Sequence, residues 1–286
     1  LSALSVTACS DGDFPPASRL TGLRLIAVQA DKPAADAGEE INLSAIYFDA
    51  QGRSLSFGYA LCDGANSSAA LDCMRVMDPA TLVIERDQPT FHFTMPDLSG
   101  SAGRASSIGV VVIVCPGEIV QGDTYGVPIA CEVDGEALDV NDYEMGVKRI
   151  FFSGQTPNDN PEITELRWDG AAWPADEIKQ ITPCDRDTDD IADCAGGFRH
   201  RLEVFAPNAG QSFVDGQGND AVEHVVAQFY ATGGTFESDV RTLESAYTEF
   251  VAQKSDTGET LTLHVVVRDS RGGVSWETRQ LEVSAE

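Results

Sequence analysis

A strict two-residue alternation most limits what this chain can fold into. In residues 261–267 the apolar positions are Leu261, Leu263, Val265 and Val267. That spacing puts all four on one face of an extended strand and scatters them around a helix. Ile41, Leu43, Ala45 and Tyr47 repeat it, as do Phe91, Phe93 and Met95. Residues 109–115 form an unbroken apolar, β-branched run, the pattern of a central strand covered on both faces. Segments 23–28 and 147–152 complete one set of predicted strands. A second set follows at 163–168, 198–205, 225–232, 261–269 and 274–283. In the last of these, Val274 and Trp276 have one parity while Leu281 and Val283 have the other, which predicts a bulge near Thr278. Helical spacing is confined to residues 238–250, where Val240, Leu243, Tyr247 and Phe250 would share a face behind Ser238 as cap. That piece is expected as a short helix or irregular loop.

Many short strands with turns such as Asp49-Ala50-Gln51-Gly52 and Cys115-Pro116-Gly117 predict an all-β protein of antiparallel sandwiches. At 286 residues the chain is long enough for two of them. The stretch Ser153-Gly-Gln-Thr-Pro-Asn-Asp-Asn-Pro161 has two prolines and no apolar residue, so a linker is expected at 154–161, between domains at 21–153 and 162–286. The two halves read as a distant repeat. No run approaches the eighteen apolar residues of a spanning helix.

The N-terminus carries a second kind of information. Residues 1–8 are small and uncharged, and they stop at Cys9. They are expected to be the end of a signal peptide. The tetrad Val6-Thr7-Ala8-Cys9 resembles a bacterial lipobox, which implies cleavage before Cys9 and covalent lipid on its thiol. Ser10 after it resembles the sorting position of outer-membrane lipoproteins, and Ser10-Asp11-Gly12-Asp13 resembles a surface-export signal. The resemblance implies a lipid-anchored protein of the bacterial outer membrane, on its periplasmic or cell-surface side. Residues 9–20, with Pro15-Pro16, are expected to be a tether reaching at most about 40 Å.

Seven cysteines leave six once Cys9 is set aside. They lie in close pairs without zinc-ligand spacing: Cys62 with Cys73, Cys115 with Cys131, Cys184 with Cys194. In an oxidising envelope these are expected as three local disulfides. The net charge of −27 argues against nucleic-acid partners and against docking on anionic lipid, and it permits divalent cations. Within Cys184–Cys194, the side chains of Asp185, Asp187, Asp189 and Asp193 and the carbonyl of Ile191 stand at positions 1, 3, 5, 9 and 7 of a DxDxD calcium loop. Position 6 is Asp190 rather than Gly, and position 12 is Gly196 rather than Glu. A disulfide would close the loop instead, somewhat as in thrombospondin-type acidic repeats, and Ca2+ is the expected ligand.

The arrangement resembles tandem immunoglobulin-like domains of bacterial surface lipoproteins, of the PKD or cadherin-like kind. The residues that carry the likeness are Val265-Val-Val-Arg-Asp-Ser-Arg-Gly-Gly273, similar to the final hairpin of such domains. The cysteines do not match an antibody-type intersheet bridge. Asn158-Asp159-Asn160-Pro161 resembles the calcium-binding linker of cadherins, and it also has the composition of a polar hinge. Catalytic motifs are missing: no Gly-x-Ser-x-Gly, no phosphate-cradling Gly-rich loop, no His-Glu-x-x-His. The four histidines are scattered one to a strand region. Of the three tryptophans, Trp173 beside Pro174 is the candidate for stacking on a sugar. The expectation is a non-enzymatic structural or binding subunit of the envelope. Its partner would be another envelope or surface protein, or a glycan.

Overall fold

A computed structural model describes residues 16–62, 81–97, 107–124, 127–152, 157–188, 190–215 and 218–284. The first unit contains β1 (Arg24–Ala30), β2 (Ala34–Ala35), β3 (Glu40–Phe48), β4 (Ser56–Cys62), β5 (Val83–Arg86), β6 (Thr90–Thr94), β7 (Ser107–Cys115), β8 (Glu118–Thr124), β9 (Val127–Val133), β10 (Glu136–Ala137) and β11 (Glu144–Phe152). The second contains β12 (Glu165–Trp168), β13 (Ala171–Ala172), β14 (Ile178–Ile181), β15 (His200–Phe205), β16 (Ser212–Val214), β17 (Asp220–Val222), β18 (Val225–Ala231), β19 (Thr235–Phe236), β20 (Val240–Thr242), β21 (Tyr247–Val251), β22 (Thr260–Asp269) and β23 (Val274–Val283).

The second unit has sheets β13-β12-β15-β21-β19 and β14-β23-β22-β18-β20. The first has β1-β3-β6 facing β2-β11-β7-β4-β5, plus a separate β10-β9-β8 sheet. In both units the long strands run antiparallel, and one short edge strand joins the last strand in parallel: β2 on β11 and β14 on β23. This strand order is that of the immunoglobulin sandwich. The alternating residues fill the cores as their period requires. Ile41, Leu43, Phe57, Tyr59, Val110 and Val112 pack in the first; Leu202, Phe229, Phe250, Leu261, Leu263 and Val265 pack in the second.

Strand β7 is buried at every position. Its even residues face the sandwich core, while Val111, Ile113 and Cys115 face Ile119, Ile129 and Cys131 of the β8–β9 hairpin. The Cys115–Cys131 disulfide staples that hairpin over the outer face, with Cα atoms 5.7 Å apart. Gly117 permits the close return: a Cβ there would collide with the Glu132 carbonyl oxygen.

Two expectations differ from the structure. Residues 238–250 form β20, one 3-10 turn at Leu243–Ser245 and β21, because Val240, Leu243 and Phe250 span two different sheets. The β22–β23 ladder keeps one register from Arg268↔Val274 to Thr260↔Glu282, without a bulge at Thr278. The parity change has another cause. Leu281 and Val283 face the sandwich core, whereas Val274 and Trp276 face the first domain.

That second face is a seam between the domains. Ile26 and Ala27 of β1, with Ile46 and Phe48 of β3, pack on Tyr230, Val266, Val274 and Trp276. A bulge between Leu25 and Ala27 turns β1 so that Val28 and Ala30 still reach the first core. The sandwiches therefore lie sheet against sheet. Residues 16–20 also belong to the folded body rather than to a free tether. Leu20 is 2% exposed in the seam and Ser18 is 6% exposed.

Candidate functional site

The cystine-closed acidic loop is fastened at its base. Cys184 and Cys194 are bridged, and with Ile191 and Val251 they form a small buried cluster. The Cys184 N–H donates to the Ala252 carbonyl at 2.9 Å. The described aspartates point to separate partners. Asp185 accepts from its neighbour Arg186 at 3.0 Å, which holds its carboxyl below the usual range. Asp187 accepts the Ser255 backbone N–H at 2.7 Å, and this bond lowers its pKa. Asp193 accepts from the Thr188 hydroxyl at 3.0 Å. Asp190 caps the 3-10 turn Ile191–Asp193 by accepting the Ala192 N–H at 2.8 Å. The Ile191 carbonyl, expected at position 7, accepts the Cys194 N–H. Asp189 lies outside the described residues, as do Cys9 and Cys73. Among the described residues no three His, Cys, Asp or Glu side chains are grouped as a metal site. Asp190 is extended (φ −107°, ψ 110°) where a calcium loop has its glycine, and the chain turns there through a 3-10 segment.

The linker is the more constrained element. Asn160 donates to the Ala30 carbonyl at 2.7 Å and accepts the Val274 N–H at 2.9 Å, so one side chain joins both domains. Asn158, 4% exposed, donates to the Arg271 carbonyl at 3.2 Å. Ser275 donates to the Pro161 carbonyl. Residues 157–161 therefore wrap the Asp269–Gly273 turn. Asp269 fixes that turn by accepting the Arg271 and Gly273 N–H groups at 2.8 Å each, and a Cβ on Gly273 would strike the same carboxylate.

From the first domain, Lys148 donates to the Gly272 carbonyl. Burial, with Arg268 nearby, pulls its ammonium pKa down to about 8, against the opposing pull of Asp269. Arg268 donates to the Ile26 carbonyl at 2.7 Å, and Gln29 donates to the Val274 carbonyl at 2.7 Å. Glu223 is held by Arg271 at 3.2 Å while burial raises its carboxyl. Lys148, Arg268 and Gln29 thereby tie the two domains together, while Glu223 and Arg271 pair within the second. Sequence reasoning marked Asn158 and Asn160 but missed Lys148, Arg268 and Gln29. Only a polar residue at an outward position of a strand signals them, and that pattern is also what a solvated face looks like.

The remaining candidates are structural. Trp173 is 2% exposed, donates its indole N–H to the Glu177 carbonyl at 2.9 Å and meets Trp168 edge-on at 4.9 Å. It offers no face to a sugar. His264 is 7% exposed and sits 3.0 Å from the Thr278 hydroxyl. His200 stacks on Trp168 at 5.1 Å and contacts Asp169 at 2.8 Å. An open groove of ≈ 680 Å³ runs between β15, the start of β18 and the β20–β21 crossover. Arg201, lying over the Tyr247 ring at 3.9 Å, forms part of its wall.

No known protein family matches this chain, and no curated protein matches it. Solved structures similar to it include tandem Ig repeats of Dlar, at 10% identity over 92% of this chain and 98% of that one, with a TM-score of 0.28. The two tandem V-type regions of VCBP3, a v-region-containing chitin-binding protein, match at 10% identity over 91% and 100%, with a TM-score of 0.27. The D0-D1 domain of intimin matches at 12% identity over 91% and 99%, with a TM-score of 0.23. At such scores the immunoglobulin-type assignment rests on the strand order itself, and by that order the chain is a pair of immunoglobulin-like β-sandwiches.

Proposed function

We propose that this chain is a non-enzymatic structural or binding module of the bacterial envelope, held at the outer membrane by lipid on Cys9. Its partner would be another envelope or surface protein. The observation that carries the reading is the seam. Buried Lys148 and the half-buried Arg268 and Asn160 bond across from one domain to the other, and buried Asp269 fixes the turn that Lys148 grips. A catalytic site would instead aim such groups into a cleft. A rigid pair of sandwiches presents loops and edges in a fixed relation, which suits a subunit that positions a partner. The tetrad Val6-Thr7-Ala8-Cys9 supports the anchor. The high negative charge favours a partner with a cationic patch.

The test is in two parts. Mass spectrometry of the chain extracted from an envelope should find acyl chains on Cys9, and none after Cys9→Ser. Cross-linking in intact envelopes should then capture one stoichiometric protein partner. An unmodified Cys9 overturns the anchor, and the absence of a stoichiometric partner overturns the subunit reading.

A further inference from the structure

Sequence order places the first domain next to whatever holds the N-terminus. The fold sets residues 18–20 against the second domain. Before entering β1, residues 16–20 cross to the far sandwich and pair in parallel with the end of β18. The Ala231 N–H donates to the Ser18 carbonyl at 2.9 Å, and the Leu20 N–H donates to the Ala231 carbonyl at 2.8 Å. Arg19 reaches the Gly234 carbonyl at 3.0 Å and the Thr235 hydroxyl at 2.9 Å. Thr235 in turn donates to the Thr188 carbonyl of the acidic loop at 3.2 Å, which Gln253 also holds at 2.7 Å. The Arg19 charge helps keep Asp187 and Asp256 ionised. Leu20 is locked into the seam.

We propose that residues 16–20 are a clasp that makes the second domain the anchor-proximal one and holds the β8–β10 layer of the first domain away from the membrane. This rests on the proposed attachment through Cys9 and deepens it. Six residues separate Cys9 from Pro16, a reach of at most about 25 Å. The β8–β10 layer lies three sheet spacings from the β18 sheet, because it covers the β7 sheet, which faces the β1–β3 sheet, which packs on β18, β22 and β23. At about 10 Å per spacing, that layer stands about 30 Å beyond the sheet that the clasp grips.

Chemical coupling separates this idea from the anchor itself. The chain from Cys9 onward is joined through that thiol to vesicles carrying a maleimide lipid, so the outcome does not depend on lipidation in a cell. An unnatural amino acid carries a dye at exposed Lys254, beside the clasp, or at exposed Glu136 on β10. A headgroup-bound quencher should quench the Lys254 dye several-fold more than the Glu136 dye. Equal or reversed quenching overturns the orientation.

The clasp has its own readout in amide exchange. Arg19→Ala leaves both cores intact and should speed exchange of the Ala231 amide by about tenfold, the scale of a lost charge-assisted hydrogen bond. It should also shrink the difference between the two dyes. Unchanged exchange at Ala231 overturns the clasp. If Cys9 proves unmodified in cells while both vesicle results hold, the anchor fails and the clasp stands.

Discussion

At the residue scale, polar side chains on outward strand positions set the character of the molecule. His264 alternates with Leu263 and Val265, so it belongs to the face that a lone sandwich would expose. The clasp and the first domain close that side, and His264 is buried beside Thr278 with Tyr230 directly across the ladder. Burial drives its pKa down to about 4 from 6.5. The folded state thus keeps His264 neutral where the unfolded chain binds a proton. Its contribution is complete above pH 6.5 and is lost as the pH falls from 6.5 towards 4, with an upper limit of about 3 kcal/mol. Chemical denaturation at a series of pH values should show that slope, and His264→Gln should flatten it. An unchanged slope in the variant would show that other groups cause it.

At the element scale, the β8–β10 hairpin is the addition that the alternation did not announce. The 109–115 run was legible as a strand covered on both faces, and β7 is one. What covers its outer face was not legible, because the β8–β9 residues that do so are separated from β7 only by a turn. The hairpin depends on the Cys115–Cys131 staple and on the absence of a side chain at Gly117. Gly117→Ala should cost at least about 2 kcal/mol, since the collision is with main chain that cannot rotate away. Thermal unfolding measures the loss. A variant as stable as wild type would mean that β9 can shift outward at little cost. The acidic loop teaches the converse. Its DxDxD spacing was plain in the sequence, yet spacing sets only the order of carboxylates. Where Asp187 and Asp193 point was decided by Ser255 and Thr188.

At the scale of the whole molecule, the seam turns two sandwiches into one body. Apolar contacts from β1 and β3 cover the β18–β22–β23 face, and the linker, Lys148 and the Asp269–Gly273 turn lock its margin. Calorimetry should therefore show one cooperative transition. Val266 is fully buried in the seam and outside the sandwich core, so Val266→Asp places an unpaired carboxylate between the domains and touches neither core. That variant should unfold in two steps. Two transitions in the wild type would mean that the seam is too weak to couple the domains.

The sequence marked ten of the strands, because a period of two or an apolar run is a property of neighbours along the chain, but it did not mark β4, β8 or β9. It determined the local turns and the spacing of the cysteines for the same reason. It could not decide which outward faces meet water. Val274 and Trp276 looked like a register error, and residues 16–20 looked like free tether, because the surfaces that bury them lie in the other domain. Burial between sandwiches depends on the sum of two distant faces, and no local period records that sum. Only the tertiary structure shows that residues 16–20 fold back onto the second domain and that Lys148 and Arg268 hold the joint.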